Sequence, residues 1–121
     1  MPKAAVVGAG LVGSLWAIFL KRRGFDVDVF EQRPDMRKVK IAAGRSINLA
    51  ISVRGIHALE RLGIKDDIMS DAIPMKGRMM HSTSGDLTFQ PYGKNESYFI
   101  NSISRAELNK KLMSQAESEG A

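Results

Sequence analysis

Cysteine is absent from the chain, which removes disulfide staples, thiolate metal sites and cysteine nucleophiles from consideration. Only two histidines are present, His57 and His81. They stand singly in unrelated contexts, so no imidazole metal centre is expected and a plain structural role suits both. No apolar run approaches the roughly 18 residues needed to cross a bilayer. The apolar stretch Ala4 to Val7 is too short for a signal peptide and has no cleavage site behind it, so a cytoplasmic address is the default expectation. Basic residues outnumber acidic ones, 18 to 13, but they are spread along the chain and not gathered into a block with interleaved aromatics. That distribution points to a solvated surface with some phosphate and carboxylate binding, not to a nucleic-acid partner.

What is present fits a soluble globular protein about the size of one ordinary domain: 121 residues, 44% apolar and 26% charged. Lys3 to Val7 is a short apolar run ending at Gly8, the pattern of a buried parallel strand. Leu11, Leu15, Ile18 and Phe19 then recur at helical spacing, Lys21, Arg22 and Arg23 suit the negative end of the helix dipole, and Gly24 fits the position just past the helix. Phe25 to Phe30 follows as a second strand. Strand, crossover helix and parallel strand make the unit of a Rossmann-like, doubly wound α/β sheet.

Arg33 to Ala43 is basic and broken by Pro34, a surface excursion. A helix is expected to start near Ser52, with Ile56, Leu59 and Leu62 on one stripe and Gly63 as its stop, and one more helical turn over Lys65 to Ser70. Ile73-Pro74 breaks the pattern. Strands are expected at Gly77 to Ser82, Leu87 to Gln90 and Tyr98 to Ile103, with a turn at Thr83-Ser84-Gly85-Asp86, which together make a small antiparallel insert. Ser104-Arg105-Ala106-Glu107 reads as a capping box opening a last helix, with Leu108, Leu112 and Ala116 four apart. The expected division is therefore 1–71, a β-α-β unit with its following helix; 72–103, the insert; and 104–121, the helix.

The chemistry begins at Gly8-Ala9-Gly10-Leu11-Val12-Gly13, a G-x-G-x-x-G placed between a strand and a helix. Gly8 permits the tight turn, Gly10 lets a pyrophosphate approach the backbone, and Gly13 allows the helix to pack closely on the strand. Unpaired N–H groups and the positive end of the helix then face the anion. Ala17, Leu20, Gly24, Val27, Val29 and Glu31 extend the pattern to nine positions over 24 residues, which a chance glycine-rich loop would rarely match. Glu31, at the tip of the second strand, is placed to accept hydrogen bonds from ribose hydroxyls. An acidic residue there disfavours a 2′-phosphate and hence NADP at this site; NAD and FAD present the same adenosine ribose. The long spacing at the start of the chain resembles FAD-binding proteins more than dehydrogenases.

Beyond Glu31 the chain resembles the flavoprotein aromatic hydroxylases, and among them those that act on L-kynurenine. The residues that carry the likeness are Gly44-Arg45-Ser46-Ile47-Asn48-Leu49-Ala50, Ile73-Pro74-Met75, Arg78-Met79, His81-Ser82, Pro91-Tyr92-Gly93, and Ser102-Ile103-Ser104-Arg105 with Leu108-Asn109. The resemblance implies an enzyme that uses tightly but non-covalently bound FAD, with NADPH and O₂ as co-substrates, to hydroxylate L-kynurenine at ring position 3. It implies that Val12, Phe30, Glu31, Gln32, Arg33, Ala50 and Arg105, together with the glycine loop, touch FAD. It also implies that Arg78 and Tyr92 hold the substrate's amino-acid carboxylate, which suits a bidentate guanidinium and a phenolic donor. No protein acid or base for oxygen transfer is required, because the flavin carries that chemistry.

One departure is large. Hydroxylases of this kind are far longer, and the later Asp-Gly and Gly-Asp segments that contact FAD in them are missing here. The chain is therefore expected to be an amino-terminal portion that does not turn over substrate by itself. Three other readings stay open: a different FAD oxidoreductase or aromatic hydroxylase, an NAD-linked dehydrogenase, and a non-catalytic module of the GDP-dissociation-inhibitor type. The last would not need Glu31 together with an intact glycine triplet.

Overall fold

A computed structural model describes residues 1–39, 48–94 and 99–121 of the chain. Along it run β1 (Lys3–Val7), α1 (Leu11–Arg22), β2 (Asp26–Phe30), β3 (Asn48–Ile51), α2 (Val53–Arg61), α3 (Lys65–Met69), β4 (Ile73–Met75), β5 (Gly77–His81), β6 (Leu87–Pro91), β7 (Ile100–Ser104) and α4 (Arg105–Ser118). Two compact units divide these elements. The first is Met1–Ile47 with Ser104–Ala121, and the second is Asn48–Ile103.

In the first unit β1 and β2 pair in parallel, Lys3 opposite Asp26 through Val7 opposite Phe30, as an α/β fold of the Rossmann kind requires. Alternation along the strands turns Val6 and Val27 into the core, and α1 meets them with Ala17 and Ile18, both fully buried. Of the apolar residues that set the helical period, only Ile18 is wholly enclosed; Leu11, Leu15 and Phe19 are half-buried. α4 packs on α1 and buries Leu108, Asn109, Leu112 and Ala116. Its first turn is capped by the Ser104 hydroxyl, which accepts from the Glu107 N–H at 3.3 Å. Glu107's carboxylate accepts from Lys110.

Three helices end the same way. Gly24 after α1, Gly63 after α2 and Gly120 after α4 have positive φ, and in each case the residue after the glycine returns its N–H to a carbonyl five residues back: Phe25 to Leu20, Ile64 to Leu59 and Ala121 to Ala116. Glycine alone adopts that turn without strain, so it closes the helix and satisfies its last carbonyls together.

The second unit holds a three-stranded sheet in the order β3-β7-β4 and a separate hairpin, β5-β6. Ile73-Pro74 forms part of a strand, β4, which lies at the sheet edge, where proline's missing N–H is harmless. The third strand expected in the insert, β7, does not extend the hairpin: it pairs antiparallel with β4. Its burial explains why. Asn101 and Ile103 are enclosed, whereas every residue of β6 is exposed, so β7 carries a core face that the hairpin cannot match. β5 and β6 are joined through a turn at Ser82–Asp86 in which Gly85 has φ +93°.

Candidate dinucleotide-binding site

The loop between β1 and α1 is shaped by its glycines for different reasons. Gly8 has φ +106°, and its N–H donates to the Phe30 carbonyl at 2.7 Å, which extends the parallel pairing past the end of β1. A Cβ on Gly13 would collide with the Gly8 carbonyl, so the helix can start this close to the strand only with glycine there. Gly10, which caps α1, is different: a Cβ built on it meets nothing within 4 Å. Nothing among the described residues needs Gly10 to be small, which fits a ligand approaching the backbone from outside. α1 carries no acidic residue in its first turn. Its first intrahelical bond is from Ser14 N–H to Gly10 O, at 3.0 Å, so the N–H groups ahead of it have no partner within the helix. The donor set suits a diphosphate.

Glu31 follows β2 and reaches back to the loop. Its Oε1 accepts from the Ala9 N–H at 3.2 Å and from the Arg33 guanidinium at 3.3 Å, and its Oε2 accepts from the Arg33 N–H at 3.3 Å. Partial burial pushes the carboxyl's pKa up, but the hydrogen bonds from Arg33 and Ala9 outweigh it, so the group lies below its ordinary value and is charged at neutral pH. Next to it Arg37 is gripped by Asp35 at 2.8 and 3.0 Å and by Glu117 of α4 at 2.8 Å, and it donates to Ser114 at 3.3 Å. The Arg37 side chain holds Asp35 down to about 2. A cleft of about 320 Å³ runs along these groups, lined by Ala9, Ser14, Val29, Glu31, Arg33 and Arg37 among others. That is the size of a small-molecule site.

The structure brings Gly8, Gly10, Gly13, Glu31 and Arg33 together. Val12, Phe30 and Gln32 lie exposed near them, one at the start of α1 and two around the end of β2. Arg105 is exposed at the first position of α4. Ala50 is an exposed residue of β3 in the second unit, and Gly44 to Ile47 lie outside the described residues. Arg78 sits opposite Gln90 in the hairpin and donates Nε to its side-chain oxygen at 2.7 Å. Tyr92 comes just after β6, its N–H donating to the Lys76 carbonyl at 2.9 Å. Strand alternation puts Arg78, Gln90 and Tyr92 on one face of the hairpin.

Two polar residues are not among the site residues expected from the sequence, although Asn109 belongs to the stretches that carry the likeness. Ser14 is buried and donates Oγ to the Ala9 carbonyl at 3.2 Å. Asn109, also buried, donates to the same oxygen from α4 at 3.1 Å. The available signal was an asparagine beside the apolar stripe of Leu108 and Leu112.

Comparison with known proteins extends this geometry. An NAD(P)-binding Rossmann-like domain family matches residues 6–38. A kynurenine 3-monooxygenase of Myxococcus xanthus is 56% identical over 95% of this chain, and that of Sus scrofa is 53% identical over 93%. The chain resembles kynurenine 3-monooxygenases along nearly its whole length. It spans about a quarter of the length of those kynurenine 3-monooxygenases, 25% and 24%, and the Cytophaga hutchinsonii kynurenine 3-monooxygenase, at 53% identity, matches over a similar 26%. Among solved structures, the tetrameric 2-methyl-3-hydroxypyridine-5-carboxylic acid oxygenase superposes with a TM-score of 0.81 at 22% identity, over 100% of this chain and 30% of its own. p-Nitrophenol 4-monooxygenase of Pseudomonas putida gives 0.73 at 19% identity, over 99% and 31%. The fold is thus that of the aromatic oxygenases, an α/β Rossmann-like sheet with antiparallel strands added.

Proposed function

We propose that this chain is the FAD-binding start of an FAD- and NADPH-dependent monooxygenase that hydroxylates L-kynurenine at ring position 3. The observation that carries the reading is more than half identity to kynurenine 3-monooxygenases across 95% of the chain, combined with a glycine loop and Glu31 in dinucleotide-binding geometry. FAD, when bound, supplies the redox and oxygen chemistry. The chain's part is to bind and orient. The N–H groups from Gly10 into the start of α1 meet the pyrophosphate, those of Gly8 and Ala9 being used by Phe30 and Glu31. Glu31 accepts from the adenosine ribose: a carboxylate offers about four lone-pair directions, three of which Ala9 and Arg33 already use. One ribose hydroxyl finds the fourth, and the exposed Arg33 side chain can yield a second. Val12, Phe30, Gln32, Ala50 and Arg105 complete the cofactor contacts.

Arg78 and Tyr92 hold the amino-acid carboxylate of kynurenine. The bond to Gln90 engages only Nε of Arg78, so the paired terminal nitrogens are not committed by it. NADPH and O₂ are co-substrates of the longer enzyme. The NAD(P)-binding description of the matching family favours one further reading, a nicotinamide dinucleotide in the same loop. Titrating the chain with FAD, NAD and a 2′-phosphorylated adenosine diphosphate separates them. FAD is expected to bind best and the 2′-phosphate worst, because Glu31 repels it. In the full-length protein, kynurenine should stimulate NADPH consumption and yield 3-hydroxykynurenine. Stimulation by a different aromatic compound alone would overturn the substrate.

A further inference from the structure

Ala9, the residue between the first two glycines, is held from three directions. Its N–H donates to Glu31, and its carbonyl accepts from both Ser14 Oγ and Asn109 Nδ2. Glu31 and Ser14 are parts of the β-α-β unit itself. Asn109 is not: it lies 100 residues further along the chain, on α4.

Burial makes the asparagine an expensive choice. Only 4% of Asn109 is exposed. One amide hydrogen is used on Ala9, Nδ2 lies 3.0 Å from Met36 Sδ and 3.4 Å from Met113 Sδ, both weak acceptors, and Oδ1 has no hydrogen-bond partner among the described residues. A buried acceptor left unmade is a net cost to folding. Leucine, the type at positions 108 and 112, would avoid it. Reversing the amide would set Oδ1 against the Ala9 carbonyl, acceptor to acceptor, so the observed orientation is the one that bonds. α4 alone gives no reason for an amide at this place, whereas the loop does. In a trans peptide the C=O and the following N–H point in opposite directions. Drawing the Ala9 carbonyl inward therefore turns the Gly10 N–H outward, at a segment whose two flanking glycines would otherwise let the peptide plane rotate.

We infer that Asn109 is a positioning residue: from α4 it fixes the Ala9–Gly10 peptide so that the loop presents its N–H groups to a pyrophosphate already oriented. The inference rests on the dinucleotide reading above and adds to it a residue from outside the motif.

The test uses the whole chain, with ADP and adenosine as probes, and compares wild type with Asn109→Leu. The leucine variant is expected to melt at or above the wild-type temperature, to lose about tenfold in ADP affinity, the scale of one charge-assisted hydrogen bond, and to keep its adenosine affinity. Its Gly10 amide should exchange with solvent differently from wild type in the absence of ligand. Unchanged ADP affinity in the folded variant would overturn the inference. Equal losses for ADP and adenosine with a lowered melting temperature would also overturn it, as a purely structural role. Asn109→Asp keeps the shape and sets a carboxylate against the Ala9 carbonyl; it supplies the same comparison if the leucine variant does not fold, and failure of both to fold would assign Asn109 to the fold alone. A wild type that binds neither probe would remove the dinucleotide reading itself, a result distinct from wild-type binding that the variants leave intact.

Discussion

At the scale of single residues, a position's structural role is legible in the sequence when its reason is local. Gly8 and Gly13 announce themselves because turn and helix packing lie within a few residues. Replacing Gly13 by alanine would drive its Cβ into the Gly8 carbonyl. About 1–3 kcal/mol of stability should be lost, as in other overpacked sites, and denaturant titration reads it. Glu31 was equally visible, since strand geometry puts the end of β2 beside the loop. Glu31→Gln exchanges a charged acceptor for a neutral one, and charge-assisted bonds contribute roughly 1.5–3 kcal/mol, so FAD should bind about tenfold more weakly or worse. An unchanged dissociation constant would take Glu31 out of the ribose site. For Arg78, substitution by methionine in the full-length protein should weaken kynurenine binding at least about tenfold and leave FAD content alone; kynurenine bound as before would remove Arg78 from the substrate site. Ser14 and Asn109 could not be found this way. A buried serine in a helix and an asparagine beside a leucine stripe acquire meaning only from the Ala9 carbonyl they share.

At the scale of elements, helices were read better than strand partners. Each helix carries its own period and its own stop, and the glycines at 24 and 63 mark two of those stops. Strand pairing is non-local, so the expectation of a small antiparallel insert does not tell that β7, with its buried alternate residues, lies with β3 and β4 and not beside the hairpin. Where α4 docks is not legible either, because its buried Leu108, Leu112 and Ala116 do not name the helix they meet, and the ion pairs at its edge, Arg22 with Glu119 at 2.7 Å and Arg37 with Glu117 at 2.8 Å, join residues far apart in sequence. Two ion pairs, Arg22 with Glu119 and Arg37 with Asp35, give the first unit an acid sensitivity. Asp35 is lowered from 3.8 to about 2 by Arg37, and Glu119 is lowered from 4.5, chiefly by Arg22. Between the lowered and ordinary values the unfolded chain binds more protons than the folded one. The stability these groups contribute is therefore complete above their ordinary values and is lost as pH falls through the folded ones. Circular dichroism from about pH 5 down to about pH 2 should show Asp35→Asn less stable than wild type at the upper end and nearly equal to it at the lower. A constant difference across that range would mean that Asp35 does not carry the effect.

At the scale of the whole molecule, apolar surface stays open in both units. In the first, Val7 and Phe30 lie exposed on the face of the β1-β2 pair away from α1. In the second, Met79, Leu87 and Phe89 share an exposed face of the hairpin. Parallel strands are ordinarily covered on both faces, and patches of this kind favour association. The chain should bind a hydrophobic dye and gain sedimenting mass with concentration. A clean monomer that ignores the dye would show that these faces are tolerated in water. Composition and the absence of long apolar runs point to an ordinary globular protein, but they carry no information about which strand faces end up uncovered. The division into units has a further consequence, in time. The first unit is assembled from residues 1–47 and 104–121, so its two parts leave the ribosome separately. At about 5–20 residues per second, the intervening 56 residues take roughly 3 to 11 seconds to make. Throughout that interval the nascent glycine loop exists without α4 and without the amide that holds Ala9, and any translational pause before residue 104 lengthens the exposure of a half-built fold to chaperones and proteases.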